Sequence, residues 1–332
     1  MMRTMVLLSS LLLCANPVND LQIADAMETE THCVGRFLID LPKGTQVKAS
    51  YITAGSEVTT FSNVTAEAFE QQLAARQQEL QDTEHRGGGT MFVARDDISP
   101  YHVTLISWSS NVGHRVYQYD EYQYLPEAAV LYLFTGKGNA DEESRKKAAA
   151  VQRAFAGKIR YRKPLEIPEG EGLCICDGLI VDSRINREEM TVGFFLPGMP
   201  HVNLSMMSFV TRDDMHTRTN DRSSTSRLSG VKMLRNKTRE WGDLKAHEVL
   251  RKYRDDGRWF YQFDLKVPSK GSSLEHPYIS VSLEAGTYAN TEAGKPINAV
   301  FERDEQAIQL WDAIIGSIRL RPGAVVSLNG AE

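Results

Sequence analysis

The fold of this chain is decided by a closing sequence that occurs twice, as AGKIRYRKP over residues 156–164 and as IGSIRLRP over residues 315–322. Each copy follows a short stretch with the apolar spacing of an amphipathic helix. A weaker echo joins the starts of the two units, which read CVGRFLI over residues 33–39 and CDGLIV over residues 176–181. The sequence therefore predicts two related domains, each beginning with Cys-x-Gly and ending with a helix, a glycine and Ile-Arg-x-Arg.

Length and charge limit the classes of function that the chain can have. It contains 332 residues, which is enough for two domains of roughly 100–200 residues each. Hydrophobic residues make up 42% and charged residues 24% of the sequence, as in ordinary folded proteins. The net charge of −5 excludes nucleic acid as the main partner, because phosphate binding needs a dominant basic surface.

Residues 1–26 have the anatomy of a secretory signal peptide. Arg3 precedes an apolar run over residues 5–15, which is too short for a bilayer that takes roughly 20 residues to cross. The signal can end by cleavage at the small-x-small sequence of residues 24–26. Alternatively, residues 11–14 resemble a lipoprotein signal, in which Cys14 would carry a lipid tether to the inner membrane, although Leu13 is larger than that signal prefers. Both readings place the body of the protein outside the cytoplasm.

The chain after the signal divides into two α+β domains. We predict an N-terminal domain over residues 27–163, a linker over 164–172 rich in proline, glycine and glutamate, a C-terminal domain over 173–322 and a frayed tail over 323–332. Each domain is expected to be an antiparallel sheet with helices. The predicted strands cover 36–41, 58–61, 91–94, 101–108, 116–124, 129–134, 159–162, 189–196, 202–210, 246–254, 258–267 and 279–283. The predicted helices cover 66–81 with Thr65 as cap, 141–155 and 304–315. Their apolar sides are expected to carry Phe69, Leu73 and Leu80 in the first, Ala148, Val151 and Phe155 in the second, and Ala307, Trp311 and Ile314 in the third. A long polar stretch follows residue 210.

Three cysteines belong to the folded part, namely Cys33, Cys174 and Cys176. An oxidising compartment favours one disulfide, and Cys174 and Cys176 are too close in sequence to pair easily with each other. The sequence leaves two pairings open, Cys33 with Cys174 or Cys33 with Cys176. Either would join the opening strands of the two domains and fix their relative angle. The thiols of Cys174 and Cys176 could ligate a metal, but a closed zinc site needs four ligands, and His32 beside Cys33 could add to them only if the two domains fold together. We therefore expect neither a metal nor a cofactor.

No catalytic motif is present in a complete form. Ser56 lies in Ala-Gly-Ser-Glu and lacks the second glycine of a nucleophile elbow. His247-Glu248 has no second histidine at helical spacing, and residues 87–89 lack the Lys-Ser/Thr of a phosphate loop. We therefore expect a binding protein and not an enzyme, with a hydrolase of unrecognised site as the weakest alternative.

Two segments are candidates for a contact surface. The turn over residues 195–200 offers Leu196 and Met199 as apolar anchors, with His201 beside them. The segment over residues 212–239 is basic, with eight arginines and lysines against three aspartates. The alternatives are an ordinary hairpin turn and a solvated charged face. The arginines of this segment that we single out are Arg212, Arg218, Arg222 and Arg227.

Both ends of the chain resemble one known family. THCVGRFLIDLP over residues 31–42 and LWDAIIGSIRLRP over residues 310–322 resemble the beginning and end of the immunity proteins paired with class 4 lipase effectors of type VI secretion. The resemblance implies two α+β domains arranged as a clamp. It also implies a periplasmic protein that binds an α/β-hydrolase phospholipase effector one-to-one and occludes its active-site cleft. The runner-up is an envelope scaffold or lipoprotein adaptor.

Overall fold

A computed structural model describes residues 28–155, 157–181, 188–210, 230–255, 258–286 and 301–325. The predicted signal peptide with Cys14, and most of the predicted tail, lie outside these residues. The first half comprises β1 Thr29–Val34, β2 Phe37–Pro42, β3 Gln46–Thr53, β4 Ser56–Ser62, α1 Ala66–Asp82, β5 Phe92–Ser99, β6 His102–Trp108, β7 Val116–Leu125, β8 Val130–Asn139, α2 Glu142–Phe155 and β9 Ile159–Tyr161. The second half comprises β10 Leu173–Ile175, β11 Gly178–Ile180, β12 Glu188–Phe195, β13 Val202–Phe209, β14 Val231–Trp241, β15 Leu244–Asp255, β16 Arg258–Val267, β17 Tyr278–Ala285, α3 Asp304–Ser317 and β18 Arg319–Leu320.

One antiparallel sheet of twelve strands runs through both halves, in the order β14-β15-β16-β17-β13-β12-β3-β4-β8-β7-β6-β5. Each half contributes six strands, and the two sets meet where β3 pairs with β12. We number the six strands of each half by their order in the chain. Read outward from the junction, both halves then have the order first, second, sixth, fifth, fourth and third. The predicted α+β class is confirmed, and the shared topology supports the duplication. We expected one sheet in each domain, and the two sheets are joined edge to edge through β3 and β12.

The two copies of Ile-Arg-x-Arg exchange partners. The closing strand of the first half, β9, pairs with β11 of the second half, and the closing strand of the second half, β18, pairs with β2 of the first half. The sequence places each closing strand at the end of its domain and does not indicate the strand with which it pairs. In each opening hairpin, β1–β2 or β10–β11, the exchanged strand pairs with the outer edge of the second strand.

The opening hairpins also correct the alignment of the sequence echo. Val34 pairs with Phe37 and Ile175 pairs with Gly178, so each hairpin has a two-residue loop. Counted from these loops, Cys33 corresponds to Cys174 and not to Cys176, a shift of two residues. The glycines of the two Cys-x-Gly motifs misled the alignment, because Gly35 lies in its loop whereas Gly178 begins a strand.

A disulfide joins the two equivalent cysteines. Cys33 and Cys174 are bonded with a Cα–Cα distance of 5.9 Å, and Cys176 keeps a free thiol. The backbones of the two hairpins also bond here, since Gly35 N donates to Cys174 O at 3.0 Å and Cys174 N donates to Gly35 O at 2.7 Å. Of the two pairings left open by the sequence, the structure contains the first.

The main hydrophobic core covers one face of the large sheet and includes side chains from both halves, among them Leu41, Tyr132, Val192, Phe263 and Trp311. A second core lies under α1 on the opposite face of the first half. The predicted cap and inward face of α1 are confirmed, since Ala68 N donates to the Thr65 hydroxyl at 3.1 Å and its three predicted apolar residues are buried. These residues are Phe69, Leu73 and Leu80.

Three local expectations are corrected. Val151 was predicted to lie on the apolar stripe of α2 but is 46% exposed, because α2 packs only shallowly. The stretch after residue 230, expected to be a polar loop, forms β14. This is an edge strand on which Lys232, Lys237 and Glu240 are exposed, and exposed charged side chains are typical of protected sheet edges. The second residue of the predicted frayed tail, Ala324, is fully buried.

Candidate protein-binding surface

The predicted turn between β12 and β13 is present, but its apolar residues face inward. The turn is closed by Met199 N, which donates to Leu196 O at 3.2 Å, and by Val202 N, which donates to Met199 O at 3.0 Å. Leu196 is 4% exposed within the main core, and Met199 is half-buried against it. The exposed apolar group beside the turn is Phe195 at 47%. A contact with a partner at this turn stays a prediction. The exposed apolar side chain available for it is Phe195, in place of the predicted Leu196 and Met199.

His201, the third candidate at the turn, supports the sheet. Its carbonyl accepts a hydrogen bond from Gly286 N at 3.1 Å, which ties the start of β13 to the end of β17. Its Nδ1 atom is buried and has no hydrogen-bond partner among the described residues. Arg212, Arg218, Arg222 and Arg227 lie outside the described residues, so their proposed role stays a prediction.

Phe195 belongs to a larger uncovered surface, which we call the open face. Alternate residues of β3, β12 and β13 point away from the main core and are exposed. Register places them side by side across the strands. Lys48 Nζ lies 5.3 Å from the centre of the Phe195 ring, and Met207 is 42% exposed. The open face consists of Gln46, Lys48, Ser50, Glu189, Thr191, Phe195, Asn203, Ser205 and Met207.

The same side of the large sheet is covered in the first half. There α1 packs Phe69 and Leu73 against Leu105 and Leu131. Among the described residues of the second half no helix takes this place, because α3 packs into the main core. The topological counterpart of α1 is the segment between β13 and β14, whose residues 211–229 contain only two large apolar side chains, Met215 and Leu228. Among the exposed residues of the open face, Phe195 and Met207 are the two large apolar groups, and the others are polar or charged.

Trp311 and Asp312, on α3 before the second closing motif, belong to a network of hydrogen bonds and ion pairs inside the second half. Glu248 is fully buried and accepts hydrogen bonds from Trp311 Nε1 at 3.0 Å, Arg239 at 2.9 Å and Arg235 at 3.2 Å. Arg235 also binds Asp312 through two hydrogen bonds of 2.7 and 2.9 Å. Burial is the largest single influence on the pKa of Asp312 and would raise it. The hydrogen bonds from Arg235 and the positive charges of Arg235, Arg239 and Lys237 together outweigh burial and hold this pKa below its ordinary value.

The free thiol shows no sign of catalytic activation. Cys176 lines a groove together with His32, Tyr51 and Arg162. Burial raises the pKa of the Cys176 thiol, so the reactive thiolate is disfavoured. Burial also lowers the pKa of His32. Within the described ranges no three His, Cys, Asp or Glu side chains are placed to hold a metal ion, and no helix is long and apolar enough to cross a membrane.

These features define an α+β protein built from two fused, similar halves. Two family models match it: the Tle cognate immunity protein 4 N-terminal domain over residues 30–149 and the C-terminal domain of the same family over residues 166–323. The chain therefore belongs to the Tle cognate immunity protein 4 family, whose members are non-catalytic inhibitors.

Solved structures agree with this membership over almost the full length. A chain of a Tle4–Tli4 complex is 30% identical, with a TM-score of 0.80, and the match covers 89% of this chain and 98% of that one. The apo immunity protein TplEi of the type VI secretion system from Pseudomonas aeruginosa is 29% identical, with a TM-score of 0.79, covering 90% of this chain and 99% of that one. No curated protein sequence matches the chain. The family resemblance read from the two ends of the sequence is confirmed.

Sequence reasoning missed Phe195 and Met207 as surface groups. The signal was present in the alternation of β12 and β13, where one face carries Met190, Val192 and Leu204 and the other mostly small polar residues. A large apolar residue on the polar face of such a strand marks an accessible position.

Proposed function

We propose that this protein is a periplasmic immunity protein that binds a type VI secreted phospholipase of the Tle4 class and blocks it. The observation that supports this most is the near full-length similarity to a chain of the Tle4–Tli4 complex. The proposed partner is an α/β-hydrolase, bound one-to-one. Inhibition works by occlusion, because a lipase must open its cleft to lipid and a broad rigid surface over the cleft prevents this.

The open face is the first contact surface that we propose. It lies where β3 of one half meets β12 of the other, so a partner seated there touches both halves. Its three strands, β3, β12 and β13, have eight residues each. At about 4.8 Å between strands and about 3.3 Å per residue they cover roughly 380 Å² of flat area. An immunity protein needs a Kd on the order of nanomolar, about −12 kcal/mol, and such interfaces bury roughly 800 Å² per partner. A second contact is therefore required.

The basic segment is our proposal for this second contact. Arg212, Arg218, Arg222 and Arg227 fall between β13 and β14 in sequence, directly after a strand of the open face. Arginines at an interface rim speed association with an acidic partner more than they tighten the final complex.

The oxidised pair Cys33–Cys174 supports the proposed periplasmic location, since structural disulfides persist in oxidising compartments. A lipid tether through Cys14 remains part of the proposal and requires mass spectrometry of the mature N-terminus.

The test is a titration of the purified effector with the chain lacking residues 1–26. We expect lipase activity to fall to the background near one equivalent, and a one-to-one complex on sizing chromatography. The absence of both inhibition and complex would reject the immunity function and leave the scaffold or adaptor reading.

A further inference from the structure

The connection between the two halves does not have the features of a hinge. Hinged domains share few contacts beyond a linker, and a few linker residues absorb the change in backbone angles. Here eight residue pairs join β3 to β12. The exchanged strands β9 and β18 add two further sheets that each contain strands of both halves. Rotation about the linker would break all three pairings together.

The linker is itself held by the second arginine of each closing motif. Arg321 is 1% exposed and donates to the carbonyls of Pro168, Gly170 and Gly172, each at 2.7 Å. Arg162, its counterpart, donates to the carbonyl of Glu166 at 2.9 Å. Burial, with Arg36 nearby, lowers the pKa of Arg321 to about 10. The repeated arginines thus fix the backbone that a hinge would need to move.

A buried ion pair also connects the two halves at this junction, and breaking it would cost free energy. Arg36, in the loop of the first opening hairpin, binds both carboxylate oxygens of Glu188 at 2.7 and 2.8 Å. Glu188 is the first residue of β12 in the second half, and both side chains are less than a tenth exposed. Arg36 also donates to the carbonyl of Ala324. Breaking a buried pair leaves an uncompensated charge, so this contact resists separation of the halves.

We propose that the two halves form one strand-exchanged body, that the linker is not a hinge, and that Arg36 and Glu188 are positioning residues for the surface shown to the effector. The effector-related part rests on the proposed function. The immunity protein meets its partner with the angle between its halves already set. Binding then needs no closing movement, and the entropy cost of ordering two arms is avoided.

The first experiment cuts the linker in the folded full-length chain. A protease site replaces residues 165–167, where Leu165 and Ile167 are each 45% exposed, and the protein is cleaved and then reduced with dithiothreitol. We expect the halves to co-elute on sizing chromatography and to inhibit the effector within about twofold of the uncut protein. Separation of the halves after cleavage and reduction overturns the proposal. The uncut variant shows whether the inserted site alone disturbs the fold.

The second experiment measures the angle without the effector. Spin labels are placed through non-cysteine chemistry at Glu70 on α1 and Lys245 on β15, both exposed, and their distance distribution is recorded. One narrow distance is expected, unchanged by linker cleavage. A broad or two-peaked distribution in the uncut protein contradicts the proposal. Since this result needs no effector, a failure of the inhibition assay rejects only the proposed function.

Variants of the ion pair test the positioning role. Arg36→Met should broaden the distance distribution and weaken inhibition by about tenfold or more. Its matched control is Arg319→Met, which removes an exposed ion pair with Asp40 on a neighbouring strand and should change neither. If Arg36→Met fails to fold, Glu188→Gln keeps a hydrogen-bonding partner for Arg36 and is measured in its place. An unchanged distribution and unchanged inhibition in a folded variant would reject the positioning role.

Discussion

The effect of the open face on affinity can be estimated for the double substitution Phe195→Ala/Met207→Ala. Complete burial of a Phe or Met side chain is worth about 1.5–3 kcal/mol. Phe195 is 47% and Met207 is 42% exposed in the free protein, so each has a little under half of this available for an interface. The two together contribute about 2 kcal/mol, which corresponds to an affinity loss of roughly 30-fold. Their buried portions also contribute to folding, so the unfolding midpoint should fall modestly.

The assay is a Kd measured by biolayer interferometry with immobilised effector, combined with urea unfolding of each variant. The matched control is Tyr161→Ala/Leu320→Ala. These residues are 38% and 37% exposed and occupy equivalent places on the exchanged closing strands, away from the open face. We expect the control to change Kd by less than about twofold. An equal loss in both double variants, or no loss in the first, would refute the assignment of the open face.

Three further outcomes are expected. Cys33→Ser/Cys174→Ser should lower the free energy of unfolding by at most about 5 kcal/mol in the chain-entropy model, since the bridge spans 141 residues; an unchanged urea midpoint would contradict this. The depressed pKa of Asp312 means that its stabilisation is complete at neutral pH and is lost as pH falls below the ordinary value of 3.8 towards the folded pKa. Asp312→Asn should therefore flatten the acid limb of the stability curve, and an unaltered limb would count against it. Arg222→Glu/Arg227→Glu should slow association with the effector more than tenfold at low salt and less at high salt; salt-independent rates would show that these arginines do not steer binding.

Much of the architecture was predictable from local patterns. The alternation of β16 and β17 and the Thr65 cap of α1 depend on residues a few positions apart, where strand and helix periodicity act directly. The inward face of α3 with Ala307, Trp311 and Ile314 followed from the same periodicity. These elements therefore appear in the structure close to their predicted positions.

The exchange of closing strands was not predictable in this way. The sequence shows that Ile159 and Ile318 begin similar strands, but a strand carries no local mark of which edge it will join. The edge that each closing strand joins depends on contacts between residues far apart in the chain, such as Arg36 with Glu188. The same limit explains why the sequence left the choice between Cys174 and Cys176 open, since only the hairpin register separates them.

The candidate site was predicted only in part. The turn after β12 was located correctly, but the side chains chosen from it were those that the core needs. Leu196 follows the strand alternation into the core, whereas Phe195 falls on the opposite face. The arginines before β14 remain a proposal, argued from charge alone.

The most direct test of occlusion is the rate at which a small fluorophosphonate labels the catalytic serine of the effector, with and without one equivalent of this protein. The account predicts at least tenfold slower labelling in the complex. Phe195→Ala/Met207→Ala, used at a concentration about three times the Kd of the unchanged protein, should restore most of the free rate, because its Kd is roughly 30-fold higher. Labelling at the free rate in a complex that sizing chromatography shows to be intact would contradict occlusion of the active-site cleft.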